Sequence, residues 1–186
     1  MRTLAILPIK SFSEAKQRLA HGLSPERRET LAEAMFCDVL AALGQTSAID
    51  ELLVVTAGSV PRRLAQEHGA TVLQEEEPGH NAAARLGIRA ALQAGAGRVL
   101  LVPGDCPALD PAELGALLAR AVKPPTVVIV PDRHGTGTNA LLLTPPDALE
   151  PSFGPGSCQR HADHAVAAGI HSEVVEVASL AMDVDT

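Results

Sequence analysis

RVLLVPGDCPAL, residues 98–109, is the stretch whose reading decides the fold. Behind Arg98 comes a short apolar run with the pattern of a central strand, and Pro103–Gly104 then breaks it. Asp105 leaves the strand end. Asp110–Pro111 reads as a cap with Pro in the first turn of a helix reaching about residue 122. A strand that ends in a polar turn and leads into a helix is half of a βαβ unit.

The alternation extends in both directions. Upstream, residues 3–8 and 51–56 are apolar runs that read as strands, and 71–73 as a shorter one. Between them, Ser24–Pro25 starts a helix whose Leu31, Met35, Val39 and Leu40 recur at helical spacing. Residues 60–68 form a helix closed by Gly69, and the Ala-rich segment 81–93 a helix stopped near Gly95. Downstream, the pattern predicts strands at 126–130 and 140–143, a helix at 157–168 and a last strand at 173–177. Strands alternating with helices predict an α/β fold whose central sheet is mostly parallel and flanked by helices. Such sheets bind ligands beyond the carboxyl ends of their strands. With no internal repeat or low-complexity linker, residues 1–186 read as a single domain.

Composition narrows the function. Hydrophobic residues make up 46% of the chain, but it has no Trp or Tyr and only three Phe. A module that stacks bases on aromatic rings is therefore disfavoured. The net charge of −7 speaks against nucleic acid or an anionic membrane as partner. Cys37, Cys106 and Cys158 form no CxxC pair, so neither zinc site nor disulfide framework is expected. The apolar start reads as a strand and not a leader, no run is long enough to span a bilayer, and a cytoplasmic location is expected. A homodimer is compatible with so small a chain.

Unusual residues gather at the expected strand ends. Asp105 is placed to hold a divalent metal against phosphate oxygens, or else turns the chain and caps the next helix. Asp183 and Asp185 alternate in the C-terminal MDVDT and could present two carboxylates on one face, or belong to an acidic tail. Lys10, Lys16 and Arg18 follow the first strand, where clustered cations suit a triphosphate or simply a solvated loop. HGTGTN, 134–139, and FGPGS, 153–157, are small-residue loops that can offer backbone N–H groups to an anion or form ordinary turns. Cys106 reads as a small buried residue. His161 and His164, three apart on the expected helix, could pair on a metal but lack a third nearby ligand, and the expectation is that they face solvent. P-loop, GxGxxG and GxSxG motifs are absent, which removes support for Walker ATPases, Rossmann dehydrogenases and serine hydrolases.

Together these segments resemble a family. LPIKSFSEAKQRLA (7–20), GHNAAA (79–84), VPGDCPAL (102–109), PDRHGTGTNALLL (131–143), FGPGSCQRH (153–161) and MDVDT (182–186) occur in the order found in the phosphoenolpyruvate or 2-phospho-L-lactate guanylyltransferases of deazaflavin coenzyme F-420 biosynthesis. Six motifs in that order make the resemblance specific, and it runs nearly end to end. It implies a Rossmann-like nucleotidyltransferase fold with a mixed, mostly parallel sheet. It also implies transfer of GMP from GTP to a small phosphorylated carboxylic acid, with magnesium as cofactor.

Residue by residue, the resemblance makes Asp105 and Asp185 the metal carboxylates, with Asp183 the alternative to Asp185. Lys10, Lys16 and Arg18 fall where the family handles the triphosphate, with Lys16 offsetting the charge of the leaving pyrophosphate. Asn81 falls where relatives contact the nucleotide, and Thr138, Gly154 and Ser157 at acceptor-binding positions. The family usually continues past this last motif with Pro and acidic residues, whereas the sequence here stops at Thr186. Competing readings are a molybdenum-cofactor guanylyl- or cytidylyltransferase, a non-catalytic nucleotide-binding domain, and a flavodoxin-like redox or response-regulator module. The molybdenum-cofactor enzymes usually carry a Gly-rich signature after the first strand, where this chain has Lys10–Ser11.

Overall fold

The structure, a computed structural model, describes residues 1–14, 22–75, 77–120 and 123–181. Among these, seven strands form one sheet: β1 (Thr3–Pro8), β2 (Glu51–Thr56), β3 (Thr71–Gln74), β4 (Arg98–Leu101), β5 (Thr126–Pro131), β6 (Thr138–Thr144) and β7 (His171–Val174). Five α-helices cover it: α1 (Pro25–Gln45), α2 (Ser59–Glu67), α3 (His80–Gln93), α4 (Pro111–Leu118) and α5 (Ser157–Ala167). The strand order is β3-β2-β1-β4-β6-β5-β7. β6 alone runs against its neighbours β4 and β5; the other pairings are parallel. This is the mixed, mostly parallel sheet expected.

Side chains alternate along the strands between two apolar layers. Ala5 and Leu7 of β1 join α1, α2 and α4 on one face, while Leu4 and Ile6 join α3 and α5 on the other. All six residues of β1 are buried, as a central parallel strand requires. Helix α1 begins where Ser24 caps it, its hydroxyl accepting from Arg27 N–H at 3.4 Å, with Pro25 in the first turn. Its buried stripe, Ala32, Met35, Phe36, Val39, Leu40 and Leu43, follows helical spacing and covers the sheet.

Several boundaries differ from those predicted. The last strand is not 173–177 but β7, His171–Val174, with Val174 56% exposed. β7 is an edge strand paired only with β5, so burial imposes little apolar pattern on it. The apolar signal belongs instead to the segment after β7, where Val177 and Leu180 enter the core. Helix α4 ends at Leu118, short of residue 122, with the N–H of Ala119 closing onto Gly115 and Leu117 carbonyls.

The sheet also positions a site. From β1 the chain adds β2 and then β3 on one side, and returns to add β4 on the other. At such a switch point the loops after adjacent strands part, leaving a crevice at the carboxyl ends. The loops after β1 and β4 meet there closely: a Cβ on Gly104 would lie 2.0 Å from Ile9 Cδ1 and 3.3 Å from the Phe36 ring. A side chain at 104 would require Ile9 to shift and would crowd Phe36.

Candidate active site at the carboxyl edge

Asp105 lies in the loop that follows β4 and is half-buried. Capping does not account for it: the α4 cap is Asp110, whose carboxylate accepts the Ala112 N–H at 2.8 Å. Lys10, exposed, leaves β1 on the other side of the crevice. His80, the first residue of α3, lies within electrostatic reach of both. Its exposed imidazole packs edge-on against the Phe153 ring, which keeps part of it from water. That enclosure lowers its pKa from the ordinary value; Asp105 opposes the shift and Lys10 adds to it. α3 starts at Gly79 without a side-chain cap, so its first-turn N–H groups add positive potential at this edge.

The 153–157 loop forms the opposite wall, and three side chains hold it. Asn81 clamps Phe153 from both sides: its Nδ2 donates to the Phe153 carbonyl at 3.1 Å and its Oδ1 accepts the Phe153 N–H at 2.7 Å. Arg160 donates to the carbonyls of Pro155 at 2.6 Å and Ser152 at 2.7 Å. His161 Nε2 accepts the Ser152 N–H at 2.9 Å. The loop needs its glycines, since Gly154 and Gly156 have φ of 122° and 72°. The Phe153 ring stands between His80 and His161, with edge contacts at 4.8 and 5.4 Å between centroids. It thereby joins the loop to the Lys10–Asp105 edge.

Thr138 opens β6 and is half-buried, facing the first turn of α5. Ser157 and His161 lie behind it, both 0% exposed. The expectation that His161 faces solvent is corrected: burial first, then Arg160 and His164, lowers its pKa to about 4, so its ring is neutral. The available signal was the i, i+4 spacing of Ser157 and His161, which puts both on one helix face. The 134–139 loop is a hairpin turn between β5 and β6, closed by Asp132, whose Oδ1 accepts the N–H groups of His134 at 3.1 Å and Thr136 at 2.9 Å. Those two amides are therefore engaged by a carboxylate of the chain itself. Asp132, Arg160 and His80 were not singled out from the sequence.

Lys16, Arg18, Asp183 and Asp185 lie outside the described residues. The segment leading to the last two is well fixed. The Leu180 carbonyl accepts from Asn139 Nδ2 at 2.6 Å and from Cys106 Sγ at 3.6 Å, and Ser179 N–H donates to Glu113 at 2.9 Å. Residue 181 is thus tied beside Cys106, the neighbour of Asp105. Among the described residues no group of three or more His, Cys, Asp or Glu side chains is suited to hold a metal. Asp105 is one hard oxygen donor, and one or two carboxylates plus substrate phosphates are what magnesium ordinarily takes from a protein site. The residues fit that ion.

A switch-point crevice lined by a carboxylate, a lysine and an uncapped helix start, on a mixed sheet with one reversed strand, defines a nucleotidyltransferase-type fold. A nucleotidyl transferase from Methanothermobacter thermautotrophicus shares it at a TM-score of 0.65 and 20% identity, over 99% of this chain and 92% of that one. The chain itself belongs to the CofC-like guanylyl transferase family, whose profile matches residues 3–186. It is 51% identical, over its whole length and 84% of the relative's, to a phosphoenolpyruvate guanylyltransferase of Conexibacter woesei. It is 38% identical, over 97% of its length and 84% of the relative's, to a 3-phospho-D-glycerate guanylyltransferase of Phenylobacterium zucineum. The family resemblance and the enzyme class read from the sequence are borne out.

Proposed function

We propose that this chain transfers GMP from GTP to the phosphate of phosphoenolpyruvate, releasing pyrophosphate, as a step of coenzyme F-420 biosynthesis. One observation carries the reading: the full-length similarity to a phosphoenolpyruvate guanylyltransferase spans every strand and loop that brings Lys10 and Asp105 to one crevice. A 2-phospho-L-lactate acceptor is the second reading, supported by the family motifs. A reducing cytoplasm suits the three free thiols.

An oxygen of the acceptor phosphate attacks the α-phosphorus of GTP, and the bond from that phosphorus to the bridging oxygen of pyrophosphate breaks. The acceptor needs no general base, because a phosphomonoester with a second pKa of roughly 6 is already mostly ionised near neutral pH. The barrier is repulsion between two anions. Held by Asp105 and a tail carboxylate, Asp185 or Asp183, magnesium would supply charge neutralisation at the phosphate oxygens. The family resemblance assigns Lys10, Lys16 and Arg18 to the triphosphate, with Lys16 offsetting the charge of the departing pyrophosphate. The first-turn amides of α3 favour an anion at the same edge. Thr138 and the preformed 153–157 loop hold the acceptor in line, so positioning provides much of the acceleration.

The test is mass spectrometry of products from GTP with phosphoenolpyruvate, 2-phospho-L-lactate or 3-phospho-D-glycerate, alongside pyrophosphate release from GTP, ATP, CTP and UTP. The reading expects GTP to be preferred and phosphoenolpyruvate to give the largest yield of the guanylylated acceptor, a diphosphate joined through a new P–O–P bond. Preference for CTP or ATP, or no adduct with any acceptor, contradicts it.

A further inference from the structure

We infer that His161 is a positioning residue that aims the Thr138 hydroxyl proton at the acceptor. This inference rests on the acceptor site lying at the Thr138 loop, as proposed above.

The geometry comes from three hydrogen bonds. Ser152 N–H donates to His161 Nε2 at 2.9 Å. A backbone amide can only donate, so Nε2 carries no proton and the neutral ring holds its proton on Nδ1. Nδ1 lies 3.0 Å from Thr138 Oγ1, so Nδ1–H donates to it. Ser157 Oγ donates to the same oxygen at 3.1 Å. A hydroxyl oxygen has two lone pairs and one proton. With both lone pairs engaged from behind, the Thr138 proton is left to donate outward.

Burial gives the direction. Ser157 and His161 are both 0% exposed, whereas Thr138 is half-buried. Of the three side chains, that of Thr138 is the one open to solvent, and an outward O–H suits a carboxylate or phosphate oxygen. Fixing this proton before the substrate arrives removes the need to reorganise the hydroxyl on binding. His161 is itself held, by Ser152 on one edge and by the Phe153 ring at 5.4 Å. The donor is therefore set by the same loop that forms the acceptor wall.

The experiment separates the two edges of the ring. Asn at 161 can place an amide donor near the Nδ1 position while giving up the Ser152 contact. Gln at 161 can place an acceptor near the Nε2 position while giving up the donor to Thr138. KM for phosphoenolpyruvate and for GTP would be measured in His161→Asn, His161→Gln and Thr138→Val. The expected result is a rise of roughly tenfold or more in acceptor KM for Thr138→Val and His161→Gln, with GTP KM unchanged. His161→Asn, which keeps a donor for Thr138 but gives up the Ser152 anchor, should raise acceptor KM clearly less than His161→Gln. Equal effects of Asn and Gln, or none from either while Thr138→Val still acts, would overturn the role of His161 and leave the acceptor site standing. No effect from Thr138→Val would overturn the acceptor site, and the inference with it. A readout on the unaltered protein covers variants that fail to fold. ¹⁵N spectra of the His161 ring should show Nδ1 protonated and Nε2 bare at neutral pH, and the opposite tautomer would contradict the inference.

Discussion

The imidazole of His161 has no access to solvent and accepts a backbone N–H, which makes its charged form costly. Its folded pKa is about 4, below the ordinary histidine value of roughly 6.5. The unfolded chain therefore binds a proton between those values while the folded chain does not, and stability falls as pH drops through that window. Urea unfolding at pH 7 and pH 5 should show a loss of about 1–2 kcal/mol from this group in the wild type. The loss should be missing from His161→Asn, and an equal pH dependence in both proteins would refute it. Little of this was legible in the sequence, where the nearest histidine partner of His161 is His164, three residues away. Burial depends on how α5 lies against β5 and β7, and local spacing does not report that. Asp105 was legible as a candidate because an acidic residue at the end of a central strand is conspicuous. Its rival duty as a cap could be dismissed only once Asp110 was seen bonded to Ala112.

Among the elements, α3 and the 153–157 loop act as one unit through Asn81. Both of its side-chain bonds go to the backbone of Phe153, far away in sequence. Asn81→Ala leaves that N–H and carbonyl without their partner, at a cost of about 1–3 kcal/mol. Thermal unfolding should show the destabilisation, and acceptor KM should rise because the loop loses an anchor. A rise in GTP KM alone would instead support the nucleotide contact that the family resemblance implies for Asn81. The strands with strong apolar runs, β1, β2 and β5, were readable because both their faces are buried. β7 was misplaced because it lies on an edge, where one pairing partner and half-exposed side chains impose no such pattern.

For the molecule as a whole, function follows from topology. The order reversal between β1 and β4 is what brings Lys10 and Asp105 to one crevice, although they are distant in sequence. Alternating strands and helices announced a mostly parallel sheet, and the residue types at the strand ends pointed to phosphate chemistry. The pairing of β6 against β4 was not legible, because strand order depends on long-range contacts that local patterns do not encode. The same topology returns the chain after β7 to Cys106 and Asn139, where the Leu180 carbonyl is held.

The most direct measurement is steady-state pyrophosphate release from GTP and phosphoenolpyruvate by wild type, Asp105→Asn and Asp110→Ala, each with magnesium and after chelation. The account predicts that chelation abolishes turnover, and that Asp105→Asn lowers kcat by orders of magnitude with an unchanged melting temperature. Asp110→Ala should keep its turnover while losing about 0.5–2 kcal/mol of stability. Full activity in Asp105→Asn, or turnover that survives chelation, would contradict the assignment of this crevice as a magnesium-dependent guanylyltransferase site.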